Sequence, residues 1–116
     1  MSTESDCIFC RIVAGDVPSP LVYSDDEVVA FDDVSPVAPV HVLVVPRQHV
    51  GALAGLDESA EPLLGRMLIV AERIAAERGV DESGHRLIIN QGPDAGQAVD
   101  HLHLHLVGGR PLGVLG

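Results

Sequence analysis

The stretch HLHLHLV, residues 101–107, alternates histidine with leucine before it ends in valine. Because side chains alternate between the two faces of a β-strand, this pattern predicts a strand with three imidazoles on one face and leucines on the other. The leucines can pack beneath a helix, which leaves the imidazole face for polar chemistry. The three histidines are His101, His103 and His105.

A single metal ion bound by all three histidines is geometrically poor. Same-face neighbours on a strand are about 6.7 Å apart, so the outer two are about 13 Å apart, whereas Zn–N bonds are about 2 Å long. A solvated polar sheet face is the simpler alternative, but three histidines without another polar residue among them favour chemistry. Imidazole titrates near neutral pH and can act as nucleophile, acid or base, so the strand predicts a catalytic site.

Length and charge narrow the class of protein. The chain has 116 residues, which predicts a single domain spanning residues 1–116. Seven Lys and Arg residues stand against seventeen Asp and Glu residues, for a net charge of −10, which argues against a nucleic-acid partner. A small phosphorylated ligand stays possible, because imidazoles and backbone N–H groups can bind one phosphate. The hydrophobic content of 47% and mean hydropathy of +0.28 are high enough to suggest surface covered by a partner subunit.

The N-terminus, MSTESDC (residues 1–7), has neither the basic region nor the apolar region of a secretory signal. No apolar run in the chain reaches the length needed to span a membrane. We therefore expect a cytoplasmic protein without a membrane partner.

Periodicity and chain breakers predict five strands and one long helix. Asp57 or Ser59 is placed to cap the helix, and Gly79 stands where a C′ glycine ends one. The segment CIFCRIVAGD (residues 7–16) predicts a short helix or turn. Because there are too few helices for parallel crossovers, the elements predict an α+β fold with an antiparallel sheet. The predicted strands are 21–23, 28–32, 41–45, 85–90 and 101–107, and the predicted apolar line of the helix is Leu64, Met67, Leu68, Ala71, Ile74 and Ala75.

A loop of ten residues, QGPDAGQAVD (residues 91–100), precedes the histidine strand. Gly92 and Gly96 would let backbone N–H groups approach a ligand closely. Two glycines in a loop are a weak signal alone, but beside three imidazoles they predict a small anion cradle. Because no Ser or Cys is placed as an obvious nucleophile, the pattern favours phosphoryl or nucleotidyl chemistry over acyl transfer.

Most of the chain resembles the histidine triad (HIT) family, and its Hint branch most closely. The alternating motif at 101–107 gives that family its name. CIFCRIVAGDVPS (7–19) is similar to its N-terminal segment, VVAFDDVSPVAPVHVLVVPRQHV (28–50) to its central hairpin, and LIINQGPDAGQAVDHLHLHLVGGR (87–110) to its C-terminal half. The resemblance implies a five-stranded antiparallel sheet with one long helix and a short N-terminal helix. It also implies a homodimer, and hydrolysis or transfer at the α-phosphate of a purine nucleotide.

The resemblance assigns catalytic roles to four histidines. His103 is expected to attack the α-phosphorus and form a nucleotidyl-histidine intermediate, which water then hydrolyses. The backbone carbonyl of His101 is expected to hold the proton on the far ring nitrogen of His103. His105 is expected to contact the phosphate and stabilise transition-state charge, and His41 to belong to the same network.

The resemblance also implies a nucleotide site around these histidines. Asp33 of FDDVSP is expected to accept both ribose hydroxyls, with a cap on the turn before Pro36 as the alternative. For the base-pocket residues, the alternative is that they simply belong to the hydrophobic core. For Asn90, which ends a predicted strand, the alternative is a role in the turn. The implied base-pocket residues are Ile8, Phe9 and Val34, and the implied phosphate-side residues are Asn90, Gly96, Gln97, His103 and His105.

The two cysteines, Cys7 and Cys10, form a C-x-x-C pair. Without a secretory signal a structural disulfide is not expected, and the context for thioredoxin-like redox chemistry is missing. A partly buried cysteine pair or a metal site remains. Microbial proteins of the resembled family with this pair often bind zinc through both cysteines, the histidine of PRQH and the first triad histidine, here His49 and His101. The resemblance therefore implies a closed, structural Cys₂His₂ zinc site.

The leading hypothesis that the resemblance implies is a nucleoside phosphoramidase that releases AMP or GMP. Two alternatives stay open: a dinucleoside polyphosphate hydrolase, and a non-catalytic nucleotide-binding module stabilised by zinc. Ala98 favours the non-catalytic module, because Hint proteins usually carry a serine at this position, and its hydroxyl lies near the leaving group. Its absence would cost about 1–3 kcal/mol, roughly ten- to a hundredfold in rate. The tail PLGVLG (111–116) lacks the tryptophan of many animal Hint proteins, so leaving-group preference does not transfer.

Overall fold

A five-stranded antiparallel sheet forms the centre of the molecule. The computed structural model describes residues 7–115, so the first six residues, on which the expected lack of a secretory signal rests, and Gly116 lie outside the described residues. The strands are β1 (Leu21–Ser24), β2 (Val28–Asp32), β3 (Val40–Pro46), β4 (His85–Ile88) and β5 (Leu104–Gly108), and the α-helices are α1 (Ile8–Val13) and α2 (Glu61–Glu77). The spatial order is β1-β2-β3-β5-β4, with every neighbouring pair antiparallel. The α+β prediction is confirmed.

The sheet is covered on both faces, which explains why β3 is buried at every residue. Alternate residues of β3 face opposite sides: Val42 and Val44 belong to the core beneath α2, whereas Leu43 and Val45 belong to a smaller core that includes Phe9 of α1. The predicted histidine site lies on the α1 side. Within residues 7–115, no helix has the length and apolarity that a membrane crossing requires.

Helix α2 differs from its predicted start and apolar line. The Asp57 side chain accepts the N–H of Ser59 and caps a short 3-10 turn, and α2 begins after it without a side-chain cap. Leu68 is 45% exposed, while Val70 is fully buried in its place, so the predicted line was wrong at that position because Leu68 lies off the face turned to the sheet. Gly79, with φ of +75°, ends the helix as predicted.

The histidine stretch is only partly a strand. Strand β5 begins at Leu104, three residues later than predicted, because the N–H of Leu102 donates to the carbonyl of Val50 rather than to the sheet. The alternation persists all the same: the three leucines of the stretch are buried in the α2 core. On the opposite side His101 is fully buried and His103 is 6% exposed, so this is not a solvated polar face.

Candidate active site and metal cluster

His103 has one ring nitrogen held by a backbone carbonyl. Its Nδ1 lies 2.7 Å from the carbonyl oxygen of His101, so Nδ1–H is the donor and, in the neutral ring, Nε2 carries the lone pair. Phe9 packs edge-on against the ring, with centroids 5.1 Å apart. This is the tautomer in which Nε2 can act as a nucleophile.

His105 is held by His41 through its Nδ1. The Nδ1 of His105 lies 2.9 Å from the Nε2 of His41, and the backbone N–H of Val37 donates to the Nδ1 of His41 at 3.1 Å. Because a donor meets Nδ1 of His41, that ring carries its proton on Nε2 and donates it to His105. His105 therefore accepts at Nδ1 and carries its own proton on Nε2.

The Nε2–H of His105 is buried, and no described group accepts it. Burial lowers the pKa of His105 to about 4, with smaller contributions from His103 and His41 beside it. His105 is therefore neutral at pH 7 and still offers one N–H. Its ring centroid is 5.0 Å from that of His103, so a lone pair and a donor lie side by side. A buried donor without a partner is costly, and an anionic ligand oxygen would satisfy it.

Asp33 follows β2 and joins this network. Its Oδ1 accepts the N–H of Ser35 at 2.8 Å, which is the turn-capping alternative considered for it. Its Oδ2 has another neighbour, the Nε2 of His41 at 3.5 Å. Asp33 also lines an apolar cavity, so this residue adjoins both the cavity and the histidines.

The apolar cavity has a volume of about 370 Å³ and contains all three predicted base-pocket residues in its wall. Phe9 is buried and its ring also packs against that of His103. Ile8 is 39% exposed, and Val34, which is 94% exposed, lies at the rim of the cavity. Phe31 and other apolar residues that the sequence analysis did not single out also line the cavity. An apolar cleft with a carboxylate at its edge suits a planar ring attached to a sugar.

The predicted anion cradle is a loop that Gln97 holds together. Its Oε1 accepts the N–H of Gly92 at 2.9 Å, and its Nε2 donates to the carbonyl of Gly51 at 3.2 Å. Gly92 and Gly96 both have positive φ, +85° and +79°, a conformation that favours glycine. Asn90, half-buried, follows β4 at the entrance to this loop. The side chain of Gln97 thus has a structural role within the loop.

Four predicted metal ligands come together in a second cluster. The donor atoms of Cys7, Cys10, His49 and His101 all lie within 4.8 Å of one another. Cys7 Sγ lies 3.2 Å from the Nδ1 of His101, and Cys10 Sγ lies 3.1 Å from the Nδ1 of His49. A tetrahedral zinc ion with bonds of about 2.0–2.3 Å separates its donor atoms by about 3.3–3.8 Å. The residues therefore fit a metal ion.

A backbone carbonyl orients His101 toward the cysteines. The Nε2 of His101 lies 2.9 Å from the carbonyl oxygen of Pro46, so Nε2–H donates and Nδ1 keeps its lone pair on the cysteine side. Burial lowers the pKa of His101 and favours the neutral ring. A neutral imidazole with its second nitrogen bonded to a carbonyl is the usual form of a histidine ligand.

Comparison with known proteins assigns this arrangement to one family. The profile of that family, described as HIT domain, matches residues 14–112. The chain belongs to the HIT family. Purine nucleoside phosphoramidase of Escherichia coli (strain K12) is 45% identical over 108 residues, which cover 93% of this chain and 91% of that protein. An HIT-like protein of Synechococcus elongatus is 47% identical over 109 residues, or 94% of this chain and 95% of that protein.

Solved structures of HIT proteins have the same fold. A histidine triad protein from Clostridium difficile matches with a TM-score of 0.92 and 43% identity over 100% of both chains. An HIT family hydrolase from Clostridium thermocellum matches with a TM-score of 0.93 and 41% identity, covering 97% of this chain and 98% of that chain. The five-stranded HIT fold is confirmed, and the chain is homologous to HIT family hydrolases.

Two backbone groups of this HIT domain were missed by the sequence analysis. The N–H of Val37 sets the tautomer of His41, and the carbonyl of Pro46 sets that of His101. Every residue except proline has a backbone N–H, and every residue has a backbone carbonyl, so the sequence holds no signal that singles out either group. They are recognised only once the chain is folded.

Proposed function

We propose that this protein hydrolyses purine nucleoside phosphoramidates and releases the nucleoside monophosphate through a covalent nucleotidyl intermediate on His103. The observation that carries the proposal is the pairing of two tautomers. The Nδ1–H of His103 is held by the carbonyl of His101, while the neighbouring His105 offers a buried Nε2–H without an acceptor. The name of the Escherichia coli relative, purine nucleoside phosphoramidase, supports the same substrate class.

The first step is an attack by the Nε2 lone pair of His103 on the α-phosphorus. A bond forms between Nε2 and phosphorus, and the P–N bond to the leaving amine breaks. The amine leaves with that electron pair and takes a proton from solvent. In the second step water adds to phosphorus, the Nε2–P bond breaks and its electron pair returns to His103. The proton lost by water goes to solvent, and the nucleoside monophosphate is released.

His105 stabilises the charge that develops on the phosphoryl oxygens. Its pKa of about 4 means that it donates as a neutral ring at pH 7, with the proton on Nε2 fixed by the bond that Nδ1 accepts from His41. A fixed donor in a buried site stabilises a transition state without reorganisation.

The cavity beside Phe9 receives the purine, with Ile8 and Val34 on its wall and Asp33 accepting the ribose hydroxyls. The position of Asp33 beside both this cavity and the histidines supports that placement. The loop beyond β4 contacts the phosphate side. The loop residues proposed for that contact are Asn90, Gly96 and Gln97.

Zinc is the metal proposed for the cluster of two cysteines and two histidines. Two thiolate and two imidazole ligands are typical of structural zinc sites, and a closed set leaves no position for substrate. The ion would supply a structural crosslink between α1 and the segments around His49 and His101. Cys7 and Cys10 are not joined in a disulfide, which fits their role as thiolate ligands and supports a reducing compartment such as the cytoplasm.

A homodimer belongs to the same proposal. Leu68 and Ile69, on the outer face of α2, are 45% and 52% exposed, which leaves adjacent apolar side chains for a second subunit to cover.

The test compares wild-type protein with His103→Ala on adenosine 5′-phosphoramidate, with His85→Ala as the matched histidine control outside the site. We expect turnover by wild type and the control, and a loss of roughly a thousandfold or more in His103→Ala. Mass spectrometry of acid-quenched wild type should detect an AMP adduct that His103→Ala lacks. Folded wild type that binds AMP but turns over no phosphoramidate would overturn the proposal. Dinucleoside polyphosphates and simple nucleotide binding would then be the functions to test.

A further inference from the structure

We propose that Asp33 is a positioning residue that couples recognition of the ribose hydroxyls to the hydrogen-bond donor of His105. The inference rests on the proposed function, because it assumes a nucleotide with its base in the apolar cavity and its phosphate at the histidines. It assigns Asp33 a part in the rate of the reaction, beyond the binding of the sugar.

The coupling begins with the proton on Nε2 of His41, which has one acceptor and one carboxylate beside it. The backbone N–H of Val37 donates to the Nδ1 of His41, which places the only proton of the neutral His41 ring on Nε2. The Nδ1 of His105 at 2.9 Å is the hydrogen-bond acceptor for that proton, and the Oδ2 of Asp33 lies 3.5 Å from the same nitrogen, within reach of its charge. A negative charge so close to the nitrogen attracts its proton and weakens the hydrogen bond to His105.

The two carboxylate oxygens of Asp33 have different environments. Oδ1 accepts the backbone N–H of Ser35, whereas Oδ2 lies 3.5 Å from the Nε2 of His41. Asp33 also lines the cavity, so a sugar between that cavity and the histidines meets this carboxylate. Ribose hydroxyls that donate to it reduce its attraction for the proton of His41.

Engagement of the ribose therefore directs the Nε2–H of His41 toward His105. A stronger hydrogen bond at Nδ1 of His105 fixes the tautomer that carries its proton on Nε2. That Nε2–H is buried, and no described group accepts its hydrogen bond. That N–H then points to the phosphate as a fixed donor. A nucleotide without ribose hydroxyls leaves the full charge of Asp33 beside that proton, so the substrate loses rate as well as affinity.

The experiment measures kcat and KM for adenosine 5′-phosphoramidate and for its 2′-deoxy and 2′,3′-dideoxy analogues. In wild type we expect kcat to fall roughly three- to tenfold from the ribose to the dideoxyribose substrate, the effect of one hydrogen bond, in addition to a higher KM. In Asp33→Ala no carboxylate lies beside the proton of His41, whichever sugar is bound. There kcat should be the same for all three substrates, while KM for the ribose substrate rises.

A charge control separates this effect from the loss of a carboxylate. Asp26 is an exposed residue of the turn between β1 and β2. Asp26→Asn removes one negative charge at a position outside the proposed nucleotide site. We expect Asp26→Asn to keep the wild-type ratio of kcat between ribose and dideoxyribose substrates.

A second measurement follows the proton directly. In protein labelled with ¹⁵N at histidine, AMP should move the Nε2–H resonance of His41 downfield, toward a stronger bond to His105, and 2′,3′-dideoxy-AMP should not. A purely structural Asp33 would give the same resonance with both nucleotides.

The outcomes separate the two proposals. A wild-type kcat that is equal for all three sugars, with only KM changed, overturns the coupling and leaves phosphoramidase activity intact. If wild type hydrolyses none of the substrates, the proposed function fails. The resonance of His41 then decides the coupling alone: equal shifts with both nucleotides overturn it, and a shift with AMP only supports it.

Discussion

The Nδ1–H of His103 donates to the carbonyl oxygen of His101 at 2.7 Å, and the imidazole of the same His101 lies 3.2 Å from the Sγ of Cys7. One residue thus gives its side chain to the proposed metal site and its backbone carbonyl to the proposed nucleophile, His103. The four residues of the proposed metal site do not include His103, but any shift of His101 moves the carbonyl that sets the tautomer of His103. We therefore expect stability and activity to be linked through this residue.

Substitution of a proposed metal ligand tests that link. His49→Gln removes one of four ligands, and we expect purified protein to contain less than half the wild-type zinc, with a Tm lower by roughly 5 °C or more. His85→Gln is the matched control, because the same exchange falls on a histidine outside both clusters, and its zinc content should equal that of wild type. Elemental analysis and calorimetry provide the two measurements. Equal zinc content in wild type and His49→Gln would contradict the assignment.

The backbone N–H of Val37 can be removed with little change to side-chain packing, because this valine is 61% exposed. Val37→Pro deletes the donor to the Nδ1 of His41, whereas Val37→Ala keeps it. Without that donor the proton of His41 distributes over both nitrogens, so we expect kcat to fall roughly three- to tenfold in Val37→Pro and to stay at the wild-type value in Val37→Ala. Circular dichroism verifies that both variants fold. The same kcat in both variants would show that the amide has no such role.

The sequence predicts side-chain patterns well and backbone partners poorly. Strand β2 has its predicted bounds, and β3 differs by one residue at each end, because runs of β-branched residues between turn formers are a strong local signal. The predicted start of β5 was wrong because the alternation of residues indicates only the direction in which each side chain points. The hydrogen-bond partner of each backbone N–H depends on a distant segment, which for Leu102 is Val50. For the same reason the N–H of Val37 was not predicted.

His85 and Glu72 predict a specific dependence of stability on pH. The Nε2 of His85 contacts the carboxylate of Glu72, and its Nδ1 lies 3.0 Å from the carbonyl of Val80, so both nitrogens face acceptors. The hydrogen bond with Glu72, followed by that carbonyl, raises the pKa of His85 above 6.5. The folded state then binds the proton more tightly than the unfolded state. This stabilisation is complete below pH 6.5 and is lost as the pH rises through the raised pKa.

Urea unfolding of wild type between pH 6 and pH 9 measures this loss. Because the Glu72 side chain is 51% exposed, we expect the pair to contribute about 1 kcal/mol or less. Glu72→Gln should remove most of the difference between the two ends of that pH range. Glu77→Gln, an exposed glutamate on the same helix, should keep it. A wild-type free energy of unfolding that rises over this range would contradict the assignment.

Ala98→Ser tests whether the exposed loop before the histidines limits the departure of the leaving group. Ala98 is exposed and lines a small cavity with Gly92 and Gln97, so a hydroxyl fits there without displacing packed atoms. A hydroxyl near the leaving amine helps to position or protonate it, so we expect kcat to rise roughly tenfold or more for phosphoramidates of strongly basic amines. For weakly basic amines, which leave without such help, kcat should change little. Ala95→Ser, an exposed alanine of the same loop, serves as the control and should leave both rates unchanged. A gain of equal size for both classes of amine would show that the serine acts on a step other than departure of the amine.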